Sequence, residues 1–465
     1  MDVPALDDGG IPTMTTSPIY LAAVVGAAVA VLLFLIIKLK QQPFVSLLLV
    51  SMVTALAAGM PMGNVMACIE KGMGGTLGFI AAVVGLGAMF GQLLEASGGA
   101  ERLTLSLLRV FGRKRATWAM SLAGFLVAIP IFFDVGFIIL VPLVYAVSRE
   151  TKKSLLFYGI PLLAGLAVTH AFVPPTPGPM AVAQLVGADL GRVILWGTVI
   201  GLPCTICAGP LFGTWIAERI HVQVPDYMGQ QSERAEGTLR ADGLPSFKLV
   251  FGILLLPLML ILLNTVTGAV LTGEAYAGLR RVCAFIGHPF FALLAATLTA
   301  FTALGTCRGL SRDKVNEIAT SALAPAGLIL LVTGAGGVFK QVLVDSGAGG
   351  ALAKTLAATG LHPVWAAFLI ALLVRAVAGS ATVAMLTAGG IVAPLLAGSS
   401  VEPAFIVIAI ASGATAVSHV NDSGFWLVNR YFGLNVKDTL KSWTVMESII
   451  GLVGVTLAWL LSYVV

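Results

Sequence analysis

A few polar residues stand inside otherwise apolar sequence, and their types suit binding and proton transfer. Asp134 follows Pro130-Ile-Phe-Phe, and Arg375 precedes Gly379-Ser380-Ala381-Thr382. His170 leads into Val173-Pro174-Pro175-Thr176-Pro177-Gly178-Pro179, and His419 leads into Val420-Asn421-Asp422-Ser423-Gly424. A carboxyl such as Asp134 or Asp422 can take up and release a proton, and an imidazole titrates near neutrality. Arg375 offers a fixed positive charge to an anion. Thr176, Ser380, Thr382, Asn421 and Ser423 supply neutral donors and acceptors, which fit a hydroxylated solute better than an apolar one. The four prolines between 174 and 179 cannot continue a helix. Chain breaks here would leave free N–H and C=O groups at depth, and half-helix N-termini carry partial positive charge suited to a carboxylate. Each residue also has a plainer reading. Asp134 and Asp422 can cap helices, the histidines can be packing residues, and Arg375 can snorkel or meet a helix C-terminus. Lys340, Asp345 and Glu95 lie towards the ends of their apolar stretches and read as interfacial. Gly87, Gly98, Gly336 and Gly347 read as close-packing positions. No HExxH, GxSxG or phosphate-binding loop occurs, so the residues do not point to an enzyme.

The elements that must position these residues are membrane spans. Of 465 residues, 58% are hydrophobic and 11% charged. Soluble domains carry about 25% charged residues, so a soluble fold and a disordered chain are both excluded. A spanning helix needs about 20 apolar residues. Apolar stretches fall near 18–37, 44–59, 76–96, 117–147, 155–185, 193–217, 249–268, 284–306, 318–345, 363–397, 403–429 and 442–464. Two of them, 117–147 and 363–397, are too long for one span and too short for two. Both have weak centres, at 129–136 and 377–384. They read as re-entrant helical hairpins, a form tolerated only where irregular backbone is buried in protein or lines a cavity. The fold class is therefore an all-α polytopic membrane protein of about ten full spans plus two hairpins.

Loop charge orients it. Lys38 and Lys40 follow the first span, which places the N-terminus outside. The 97–116 connection carries Arg102, Arg109, Arg113, Lys114 and Arg115, and the loop after the first hairpin carries Arg149, Lys152 and Lys153. Both sides of that hairpin are thus cytoplasmic. The loops flanking the second, 346–362 and 398–402, hold only Lys354 as a basic residue, so it enters from outside. The C-terminus returns to the outside. Residues 1–17 are acidic with no basic start, unlike a signal peptide, and read as an extension. The segment 218–248 mixes both charges and reads as a cytoplasmic linker between halves 18–217 and 249–465. Net charge is +5, but no basic run is interleaved with aromatics, so nucleic acid is not a partner. Cys204 and Cys207 form the sole CxxC, without a second pair or a nearby histidine, and read as apolar fillers, not as metal ligands.

The halves resemble each other. Gly87-Ala-Met-Phe90-Gly-Gln92-Leu-Leu94-Glu-Ala-Ser97-Gly98 matches Gly336-Gly-Val-Phe339-Lys-Gln341-Val-Leu343-Val-Asp-Ser346-Gly347 at an offset of 249 residues. The same offset carries Val168-Thr169-His170 onto Val417-Ser418-His419 and Gly78 onto Gly327. With the first copy running inward and the second outward, this is an inverted-topology repeat, an arrangement of secondary transporters whose substrate site lies between paired helix breaks. An ion channel fits less well, since no ring-forming filter motif occurs.

Several long motifs resemble the gluconate permease (gluconate:H⁺ symporter) family of bacteria. They are Glu70-Lys-Gly-Met-Gly-Gly-Thr-Leu-Gly-Phe79, the 168–179 segment, Gly336–Gly347, Gly379-Ser-Ala-Thr-Val-Ala384 and Ser418-His-Val-Asn-Asp-Ser-Gly-Phe-Trp426. The resemblance runs from about residue 18 to the end. It implies an inner-membrane symporter for sugar acids within the ion-transporter superfamily, with elevator-type movement and homo-oligomers, dimers in the superfamily. Family members also carry fructuronate, idonate, glycerate or D-serine. Some relatives have His in place of Thr176 and Glu in place of Asp134. On this reading Thr176, Gly178, Ser380, Thr382, Asn421, Asp422 and Ser423 hold the substrate. Asp134, Asp422, His170 or His419 carries the coupling proton, and Arg375 pairs with an anion. The coupling ion is H⁺ with Na⁺ as the alternative, and no cofactor is implied.

Overall fold

A computed structural model of the chain describes residues 18–39, 41–112, 115–225, 243–271, 273–348, 360–378, 380–396, 399–419 and 422–464. The extension 1–17, the linker core 226–242, Gly379 and Asn421 lie outside the described residues. Among the described residues every regular element is helical. The first half contains α1 (Pro18–Ile37), α2 (Pro43–Ala57), α3 (Met62–Ala96), α4 (Gly99–Phe111), α5 (Ala116–Val127), α6 (Phe133–Thr151), α7 (Leu155–Phe172), α8 (Pro177–Val186), α9 (Leu190–Ile206) and α10 (Phe212–Ala217). The second contains α11 (Phe247–Val270), α12 (Ala277–Ile286), α13 (Pro289–Ala300), α14 (Arg312–Ser321), α15 (Leu323–Asp345), α16 (Pro363–Ala378), α17 (Ala381–Val392), α18 (Pro403–Thr415), α19 (Ser423–Phe432), α20 (Val436–Thr439) and α21 (Val445–Leu461). A π turn, Cys207–Leu211, joins α9 to α10, and another, Leu440–Thr444, joins α20 to α21.

The repeat extends to packing. α5 packs on α7 as α16 packs on α18, α6 on α7 as α17 on α18, and α7 on α9 as α18 on α21. Contacts between halves also come in exchanged pairs: α9 meets α18 as α21 meets α7, and α8 meets α17 as α19 meets α6. α7 and α18 form the centre. Nearly every residue of both is buried, which explains why neither has a polar face. Close approach depends on small residues at two equivalent crossings. A side chain at Gly165 would collide with the Ser121 carbonyl of α5, and one at Gly413 with the Phe368 carbonyl of α16.

Both long apolar stretches are helix–break–helix units. The first breaks over residues 128–132 between α5 and α6, and the second just before Ser380, the N-cap of α17. Six helical stretches among the described residues are long and apolar enough to cross a bilayer, and six more apolar helices are shorter. Three sequence expectations change. α3 begins at Met62, not near 76, and runs for 35 residues through the glycine-rich Glu70–Gly75 segment. Packing against α15 overrides the weak helix propensity of that segment: Gly72 lies against Val338 and Gly337 against Thr76. Segments read as loops contain the amphipathic helices α4, α12 and α14, whose polar faces hide them from a search for apolar runs. Gly98 and Gly347 are helix stops, with φ of 75° and 71°; Gly98 also lies against Leu244, whereas Gly347 has no close neighbour among the described residues.

Candidate substrate-binding cavity

A cavity of about 310 Å³ opens where the broken helices meet. That is near the lower end of the range for small-molecule sites, about 300–1,000 Å³. Three helix N-termini reach it: α6 through Phe133 and Asp134, α17 through Ser380, Ala381 and Thr382, and α19 through Asp422, Ser423 and Gly424. Such ends carry unsatisfied N–H groups and favour negative charge. Each starts here for a local reason. Pro130 and the following residues interrupt the α5 direction ahead of α6. Ser380 caps α17 by accepting from the Val383 N–H at 3.4 Å. Asp422 caps α19 by accepting from the Gly424 N–H at 3.0 Å.

Asp422 is the most heavily bonded group. Its Oδ2 accepts from the Arg375 Nη2 at 2.5 Å and from the Ser418 hydroxyl, while its Oδ1 accepts from Gly424. Trp443 Nε1 donates to Ser418 Oγ at 2.7 Å, and the Thr444 hydroxyl donates to the Ser418 carbonyl. Arg375 and Asp422 are both buried. A buried ion pair of this kind offsets its desolvation only when further hydrogen bonds satisfy it, and here Ser418 and Gly424 do so. The chain reaching Asp422 passes Val417 at φ 55°, a left-handed conformation that a β-branched residue rarely adopts.

Of the residues singled out from sequence, Asp134, His170, Arg375, Ser380, Thr382, Asp422 and Ser423 line this one cavity. Asp134 is exposed to it and does not cap α6. His170 is half-buried, lies edge-on to Phe132, and its Nδ1 has no hydrogen-bond partner among the described residues. Thr176 and Gly178 are placed elsewhere. Thr176 donates to the Val173 carbonyl at 2.8 Å and lines a narrow cleft behind Pro130, Ile131 and Phe132. Gly178 lies against Met385 of α17. His419 is not in the cavity wall; its Nε2 sits 3.0 Å from the Ala376 carbonyl. Asn421 is outside the described residues.

Two residues escaped the sequence reading. Glu95, read as interfacial, lines the cavity and accepts a 3.1 Å hydrogen bond from Gln92 Nε2, because α3 runs deep along this wall. Glu447 also lines it, buried, with Oε1 lacking a partner among the described residues. It interacts electrostatically with both Arg375 and Asp422. A lone glutamate within an apolar final stretch was the available signal.

Comparison with known proteins agrees with this architecture. The family model described as GntP family permease matches residues 19–464. A low-affinity gluconate transporter of Escherichia coli is 43% identical over 446 residues, 95% of this chain and 97% of that one. A gluconate permease of Bacillus subtilis is 40% identical, covering 95% of this chain and 99% of its own. Among solved structures, MtrF of Neisseria gonorrhoeae aligns with a TM-score of 0.64 at 14% identity, covering 89% of this chain and 93% of its own. The YdaH transporter of Alcanivorax borkumensis aligns with a TM-score of 0.63 at 14% identity, covering 90% and 97%. These two share the fold. The protein is thus a membrane permease, not an enzyme, and its chain belongs to the GntP family of permeases.

Proposed function

We propose that this protein is a secondary active transporter that takes up gluconate, or a closely related sugar acid, with protons across the bacterial inner membrane. One observation carries the reading: three helix N-termini, a buried arginine and several hydroxyls converge on one cavity with carboxyls at its wall. The N-termini and Arg375 suit the substrate carboxylate. Ser380, Thr382 and Ser423 suit its hydroxyls, with Asn421 beside them in sequence. The gluconate transporters among its relatives support the substrate class.

The exchanged packing of the halves supports a repeat, and the loop charges support its inversion, with α5–α6 and α16–α17 as hairpins re-entering from opposite faces and both termini periplasmic. Movement of the hairpin-bearing part as an elevator, within a homo-oligomer, follows from the resemblance. Uptake of labelled gluconate into proteoliposomes tests the function. An imposed inward proton gradient should drive saturable uptake that a protonophore collapses. Drive by Na⁺ alone would change the coupling ion, and non-saturating flux would indicate a channel. Stronger competition by D-serine or glycerate than by unlabelled gluconate would change the substrate.

A further inference from the structure

We propose that Glu447 is the carboxyl through which proton and substrate binding are coupled, with Arg375–Asp422 as the fixed pair beside it. The inference rests on the proton-coupled transport reading above.

Asp422 is poorly placed to carry a proton, because Arg375, Ser418 and Gly424 already donate to its two oxygens. Protonating it would break the ion pair and weaken the cap of α19 together. Asp134 is exposed to the cavity, so its charge is less cut off from water than that of Glu447. Glu447 combines burial, an oxygen without a partner among the described residues, and a place on the cavity wall. It stands one turn beyond Trp443, just after a π turn, a feature often found at functional sites.

Charge arithmetic then links the two ligands. With Glu447 ionised, one guanidinium faces two buried carboxylates, and a bound gluconate adds a third negative group. A proton from the cavity water on Glu447 removes one of these charges, so it lowers the cost of admitting the substrate. By linkage, gluconate promotes protonation of Glu447 to the same extent. Release of gluconate on the inner side removes its negative charge, so Glu447 ionises more readily and returns the proton to water there. The other ionisable groups facing the cavity are Asp134 from α6, His170 from α7 and Glu95 from α3, with Arg375 from α16 and Asp422 ahead of α19.

Gluconate binding measured against pH on the purified full-length protein tests the assignment. The wild-type dissociation constant should rise by up to about tenfold per pH unit once Glu447 ionises. Glu447→Gln should hold the tight, low-pH affinity across the range, retain gluconate counterflow and lose gluconate-driven proton movement in proteoliposomes. Glu447→Asp should restore the pH dependence. Asp134→Asn and His170→Gln should keep it. The assignment is overturned if Glu447→Gln keeps the wild-type pH dependence, or if Asp134→Asn or His170→Gln abolishes it. The last two arms decide the matter even if Glu447→Gln does not fold. Wild-type protein that neither binds nor takes up gluconate would sink the transport reading itself, a different outcome from any of these.

Discussion

The break after α5 and the break after α16 hold equivalent places in the two halves, but their surroundings differ in charge. At the 249-residue offset, Arg375 corresponds to Leu126, Asp422 to Val173 and Glu447 to Thr198. The second half therefore contributes the buried ion pair and the buried glutamate, whereas the first contributes Asp134, His170 and a wall of Pro130, Ile131 and Phe132. A repeat can keep its packing while one copy specialises, because packing depends on small and apolar positions and the cavity on a few polar ones. Gly165 and Gly413 preserve the helix crossings in both copies. The first-half break at Thr176 is tied to its own backbone instead of facing the cavity.

The largest expected effect is at the ion pair. Arg375→Gln leaves Asp422 and Glu447 buried without a cation, at a cost of about 3–5 kcal/mol. Thermal unfolding in detergent should fall markedly and uptake should be lost. Leu126→Ala, at the corresponding first-half position, should cost clearly less and leave transport in place. Equal damage from both would erase the proposed asymmetry.

The hydroxyls come next. Thr382→Ala should weaken gluconate binding by about tenfold, the worth of a hydrogen bond to a charged or well-placed group. Thr176→Ala should change it by less than about threefold, since that hydroxyl is held by Val173 outside the cavity. Isothermal titration of both variants orders the two breaks, and the reverse order would move the site to the proline-rich break.

Asp134 sharpens the comparison further. Because it is exposed to the cavity, Asp134→Asn should shift the apparent affinity by no more than about fivefold, in keeping with exposed charge interactions of at most about 1 kcal/mol. Gluconate-driven proton movement should persist, as read by a pH-sensitive dye inside the vesicles.

The last prediction leaves function untouched and concerns orientation. In a background without native cysteines, Glu150→Cys and Ser400→Cys, both at exposed positions, should label from opposite sides of the membrane. Labelling from one side would remove the inversion of the repeat.

The sequence by itself determined the membrane environment, the helical class and the internal repeat, because these follow from composition and from runs of like residues. It also named most of the ionisable residues of the cavity wall, since an ionisable residue in apolar sequence is conspicuous wherever it falls. The tertiary structure decided which of those residues face one another. Spacing along the chain did not separate His170, at the cavity, from His419, bonded to the Ala376 carbonyl, because the two share one repeat position. Nor did it pair Arg375 with Asp422 across 47 residues, or bring Glu447 and Glu95 to the same space. Those meetings depend on how α3, α16, α19 and α21 cross, and helix crossings are set by packing between segments far apart in the chain.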